Sequence, residues 1–79
     1  MAGFRCETFV VGNRSGAELV LFLEPEGDAI VLPPGARCQV AADHDGPDIL
    51  DLEVEYDVGR ITMYASCRKR VVVDGVRVR

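Results

Sequence analysis

Apolar residues in this chain fall in short runs closed by turn formers, and nowhere recur steadily at i, i+3, i+4 and i+7. That pattern predicts strands. The first covers residues 5–11 and closes at Gly12-Asn13-Arg14-Ser15-Gly16, whose glycines and Asn supply the positive φ of a hairpin connection. The second, residues 17–23, sets Leu19, Leu21 and Leu23 on one face and Val20 and Phe22 on the other, the mark of a central strand. Glu24-Pro25-Glu26-Gly27-Asp28 breaks the pattern, and residues 29–32 resume it until Pro33-Pro34-Gly35 stops the ladder. Residues 36–42 form a fourth run, and residues 43–48 read as a polar loop. Residues 49–57 and 60–66 flank Val58-Gly59. Residues 71–73 and 76–78 flank Asp74-Gly75, the strongest short hairpin signal present. Seven to eight short strands with turns every few residues predict an all-β fold, a small antiparallel sandwich or a jelly-roll-like barrel.

Within the fifth run, Asp51, Glu53, Glu55 and Asp57 alternate with Leu50, Leu52, Val54 and Tyr56. A period of two predicts one apolar face and one face bearing four carboxylates in a row. Such a ladder is costly unless water, a cross-strand base or a partner meets it. Charge along the chain is divided in the same sense. Residues 1–59 hold twelve of the thirteen acids, while residues 60–79 hold six of the nine bases.

The length of 79 residues predicts one domain with a thin core, filled by aliphatic side chains because there is no Trp. The net charge of −4 disfavours direct nucleic-acid or anionic-membrane binding by the molecule as a whole. The longest apolar run, Leu19 to Leu23, is far short of a membrane span, and no signal-like segment opens the sequence; a cytoplasmic protein is expected. Three dispersed cysteines, Cys6, Cys38 and Cys67, argue against a disulfide framework or a zinc site.

The segments Leu23-Glu24-Pro25-Glu26-Gly27 and Leu32-Pro33-Pro34-Gly35 resemble those of short bacterial β proteins with Leu-Glu-Pro-x-Gly and Leu-Pro-Pro-Gly motifs. The motif residues are turn formers, so the resemblance implies a fold and no chemistry. A very small, acidic, all-β chain is also similar in kind to the anti-CRISPR and DNA-mimic inhibitors that phages encode, without a shared motif.

Four constellations merit weighing. Alternate residues on a strand lie about 6.6–6.8 Å apart, so the ladder could present a phosphate-like row to a basic groove. Asp43, Asp45 and Asp48 from the preceding loop would extend it to seven carboxylates. The competing reading is a solvated strand face that discourages edge-to-edge aggregation. Arg68, Lys69 and Arg70 form a secondary basic patch, which could bind phosphate or match charge within one sheet. Arg60, just across the turn from the acidic strand, could neutralise a carboxylate there. Cys67 precedes three cations that lower a thiol pKa, and a disulfide to a second copy is conceivable there; Cys6 and Cys38 read as core. Asp43-His44-Asp45-Gly46-Pro47-Asp48 lacks an EF-hand ligand set, because Val54 stands at the twelfth position.

No nucleophile-and-base arrangement or phosphate-cradling loop emerges, and His44 is the sole histidine. The sequence thus points to a binding protein without catalytic activity, cofactor or metal. It would inhibit or modulate a partner protein by docking the acidic strand on that partner's basic, nucleic-acid-binding surface. The alternative is a self-assembling β module acting through homodimerisation, with Cys67 as a candidate link.

Overall fold

The computed structural model describes residues 4–45 and 51–78. Among them are eight strands and no helix: β1 (Phe4–Gly12), β2 (Leu19–Glu24), β3 (Asp28–Leu32), β4 (Arg37–Asp45), β5 (Glu53–Asp57), β6 (Arg60–Tyr64), β7 (Arg68–Val73) and β8 (Val76–Arg77). They form two four-stranded sheets, ordered β1-β4-β7-β8 and β3-β2-β6-β5. The chain is therefore all-β, a small sandwich, as the spacing of runs and turns predicts. With no helix at all, none of the described residues belongs to a helix long and apolar enough to cross a membrane.

The core lies between the sheets. Leu19, Leu21 and Leu23 of β2 meet Ile30 and Leu32 of β3, Cys38 and Val40 of β4, Met63 of β6 and Val71 of β7. All are buried, and alternation puts each on the inward face of its strand. Full burial of one such aliphatic side chain is worth about 1.5–3 kcal/mol. β2 lies between β3 and β6, so apolar residues on both of its faces do mark a central strand.

Two connections differ from the expected hairpins. Residues 13–18 carry the chain from the first sheet into the second instead of turning it back beside β1, whose partner is β4. Asn13 holds that corner. Its side chain is buried, and Nδ2 donates to the carbonyls of Ala17 and Leu32, both at 2.8 Å. Its Oδ1 accepts from the Ser15 amide and hydroxyl. An Asn that satisfies two carbonyls across 19 residues fixes a corner, a role that local turn propensity cannot distinguish from a hairpin tip. The second difference is that β2 and β6 pair in parallel, while the other strand pairs among the described residues are antiparallel. A parallel pair needs a long crossover. Here the chain between β2 and β6 visits the first sheet through β4.

The Asp74-Gly75 hairpin forms as predicted. Both residues have positive φ, 48° and 82°, as a type I′ turn requires. Val58-Gly59 joins β5 to β6, with Gly59 at φ 74° and its carbonyl accepting from Val20.

Candidate functional site

The acidic strand is β5, at the edge of the second sheet, and among the described residues it pairs with β6 alone. Its register sets Glu53 opposite Tyr64, Glu55 opposite Thr62 and Asp57 opposite Arg60. Cross-strand partners share a face, so these carboxylates stand with Thr62 and Tyr64 on the outer face of the sheet. Asp51 is exposed but lies just before the strand. The regular ladder therefore has three rungs, with Asp51 leading into it. Leu50 and Asp48 fall outside the described residues.

The apolar side of β5 is not buried as the alternation suggests. Val54 and Tyr56 are opposite Met63 and Ile61, on the core side, yet remain 55% and 74% exposed. An edge strand has a neighbour on one flank only. Its inward side chains can reach past the sheet that covers them. Glu55, Tyr56, Asp57, Arg60, Thr62 and Tyr64 line an open hollow of about 420 Å³ on this edge.

The charges around the hollow are organised. The negative charge of Glu55, followed by burial, a Glu55 hydrogen bond and the charges of Glu24 and Glu53, raises the Tyr64 phenol above its ordinary value. Arg60 does not neutralise the ladder as its position suggests. Its guanidinium lies 4.6 Å over the Phe22 ring, a cation–π contact that covers the outer face of β2. Asp57 instead accepts the Val58 amide at 2.7 Å. Among the described residues, no base forms an ion pair with Asp51, Glu53, Glu55 or Asp57.

The expected seven-carboxylate patch is not a single surface among the described residues. Asp43 and Asp45 belong to β4 rather than to a loop, on the other sheet from β5. Asp43 forms a two-pronged pair with Arg70, Nη2 to Oδ1 at 3.0 Å and Nε to Oδ2 at 3.2 Å. That hydrogen bond holds its carboxyl below the ordinary carboxylate range. His44, next along β4, meets Glu7 at 2.9 Å. β4 extends this far because β1 pairs with it to Asp45, a match the polar sequence disguised.

The basic patch also divides. Strand alternation sends Arg68 and Arg70 outward and Lys69 inward, opposite the buried Ala42. The Lys69 side chain is 1% exposed; its ammonium binds Glu26 and the carbonyls of Glu24, Ala65 and Cys67. Arg37 and Arg77 join Arg68 and Arg70 on the outer face of the first sheet by register. The outer face of the first sheet thus gathers four arginines with Asp43, while β5 carries its carboxylates on the second sheet, so the acidic and basic portions of the sequence do not map one to each sheet.

The cysteines depart from expectation as well. Cys6 is exposed, with Arg70 Nη2 at 3.4 Å from its sulfur, while Cys38 is buried. Cys67 is partly buried, and desolvation raises its thiol pKa despite the opposing charge of Lys69. Lys69 is the cation that favours the thiolate, and burial outweighs it, with the charges of Glu26 and Asp43 acting in the same direction as burial. Among the described residues, no group of three or more His, Cys, Asp or Glu is arranged to hold a metal ion.

Sequence reasoning missed Thr62 and Tyr64 as parts of this edge. Pairing across the Val58-Gly59 turn was the available signal, since it puts residues 62 and 64 beside residues 55 and 53. No protein-family model, curated protein or solved structure matches this chain.

Proposed function

We propose that this protein is a non-catalytic, cytoplasmic binding module. It docks the edge made by Asp51, Glu53, Glu55 and Asp57 on a basic, nucleic-acid-binding surface of a partner protein, in the manner of anti-CRISPR and DNA-mimic inhibitors. The observation that carries the reading is the ladder's exposure on an edge strand with no ion-pair partner among the described residues. Carboxylates kept on a rigid strand without internal bases retain their charge for an external one. Steering toward a positive surface speeds encounter, and like-charge repulsion rejects acidic competitors. The mechanism is exclusion: the strand covers Lys and Arg side chains that would otherwise hold phosphates.

Asp43 does not contribute to this edge, because it lies on the other sheet and Arg70 engages both of its oxygens. The reading therefore rests on the β5 edge. The test is an affinity capture from host lysate at low and high salt, with the wild type beside Asp51→Asn/Glu53→Gln/Glu55→Gln/Asp57→Asn. A salt-sensitive partner recovered by the wild type alone is the expected result. Equal recovery by both baits overturns the reading.

A further inference from the structure

β5 offers an incoming chain more than charge. Among the described residues it pairs with β6 alone, so its other flank is unpaired there. Alternate residues of an edge strand turn their amide and carbonyl away from the sheet, where another strand can bond them. Val54 and Tyr56 form a second row, alternating with Glu53, Glu55 and Asp57. That row is on the core side, yet both side chains are exposed. Val54 also lines an apolar cleft of about 370 Å³ with Phe9 and Val11 of β1 and Ile61 and Met63 of β6. Charges alone deter edge-to-edge aggregation, whereas an uncovered apolar row beside them invites a strand. The two rows together select one kind of strand rather than repel all of them.

We propose that the partner's basic surface includes an extended segment of alternating basic and apolar residues, which adds to β5 as a further strand of the second sheet. This rests on the acidic-edge reading above and specifies the form of the partner. Side chains directly opposite across a strand pair share a face. Basic residues spaced about 6.6–6.8 Å apart then meet Glu53, Glu55 and Asp57, while the intervening apolar residues cover Val54 and Tyr56. Backbone hydrogen bonds supply affinity, and the two rows supply specificity. A helix docked on the ladder leaves the outward backbone groups of β5 and the Val54–Tyr56 row uncovered. A second β5 is rejected on charge. Antiparallel pairing centred on Glu55 sets Glu53 opposite Asp57, and like charges directly opposite are destabilising.

The experiment mixes the purified protein with synthetic heptapeptides. One alternates, Lys-Val-Lys-Val-Lys-Val-Lys. The other has the same composition in blocks, Lys-Lys-Lys-Lys-Val-Val-Val. Fluorescence anisotropy measures binding, and nitrogen–proton spectra locate it and show that each variant is folded. The alternating peptide should bind about tenfold more tightly than the block peptide or better, with the largest amide shifts in residues 53–57. Glu53→Gln/Glu55→Gln and Val54→Thr/Tyr56→Thr should each weaken its binding by about tenfold, since both rows take part. N-methylation of alternate peptide amides, the lysines in one version and the valines in another, should abolish binding in at least one of the two, because one set faces β5. Equal binding of the alternating and block peptides, no binding of either, variants that bind as the wild type does, or N-methylation harmless in both versions overturns strand addition. The capture experiment uses neither peptide, so the two failures are distinguishable. A captured partner with indifferent peptides keeps the acidic edge and removes the added strand.

Discussion

The Lys69 ammonium lies 2.8 and 2.9 Å from the two carboxylate oxygens of Glu26, inside a cage completed by three backbone carbonyls. The pair joins the start of β7 in the first sheet to the turn after β2 in the second. The shortest bond, 2.6 Å to the Ala65 carbonyl, secures the crossing between β6 and β7. A charge so enclosed is favourable only because its acceptors are all in place.

Lys69→Met keeps the aliphatic stem and removes the donors. It should destabilise the fold by about 2–3 kcal/mol, because the acceptors are left partly unsatisfied. Urea unfolding of the two proteins measures the difference. Arg68→Met, on the outward face of the same strand, should change stability by less than about 0.5 kcal/mol.

Tyr64 reports directly on the acidic edge. Its phenol should titrate above the ordinary tyrosine value in a Tyr56→Phe background, read by ultraviolet absorbance. Glu55→Gln should move that titration down, since the negative charge of Glu55 is the largest cause of the raised value. The raised value also favours the folded state while the phenol is protonated. That contribution is complete below the unfolded pKa of about 10 and declines as pH rises through the higher folded value.

What the sequence disclosed, and what it concealed, follows from the range of the interactions involved. Strand alternation and the Asp74-Gly75 turn are local, so the all-β class and the β7–β8 hairpin were legible. The role of Asn13 was not, because its bond to Leu32 spans 19 residues. The apolar pattern ends at Ala42 because Asp43, His44 and Asp45 are polar, while pairing with β1 carries β4 through them. Arg68-Lys69-Arg70 reads as one patch only if its strand begins at Val71. Extending the same period of two backwards turns Lys69 away from its neighbours. The exposure of Val54 and Tyr56 was beyond the pattern, which marks two faces without indicating that the strand is an edge.

The Asp43–Arg70 pair predicts a sign for the acid limb of stability. Its hydrogen bond makes the folded carboxyl harder to protonate than the unfolded one. The stabilisation is present above the unfolded value of about 3.9 and is lost as pH falls through the lower folded value. Wild type and Arg70→Gln should therefore differ at neutral pH and converge in acid. Urea midpoints across that range provide the comparison.

Thiol chemistry should follow exposure rather than proximity to cations. In timed alkylation followed by mass spectrometry, Cys6 should modify first, Cys67 more slowly and Cys38 last. Faster modification of Cys67 than of Cys6 would show that its cationic neighbours govern the thiol after all.

The proposed function turns on competition between the β5 edge and nucleic acid for one basic surface. The most direct measurement is the binding of the captured partner to immobilised wild-type protein as double-stranded DNA is titrated in. The exclusion mechanism predicts that DNA releases the partner, and that Asp51→Asn/Glu53→Gln/Glu55→Gln/Asp57→Asn does not bind it at all. A ternary complex holding partner, DNA and this protein together would contradict the mechanism.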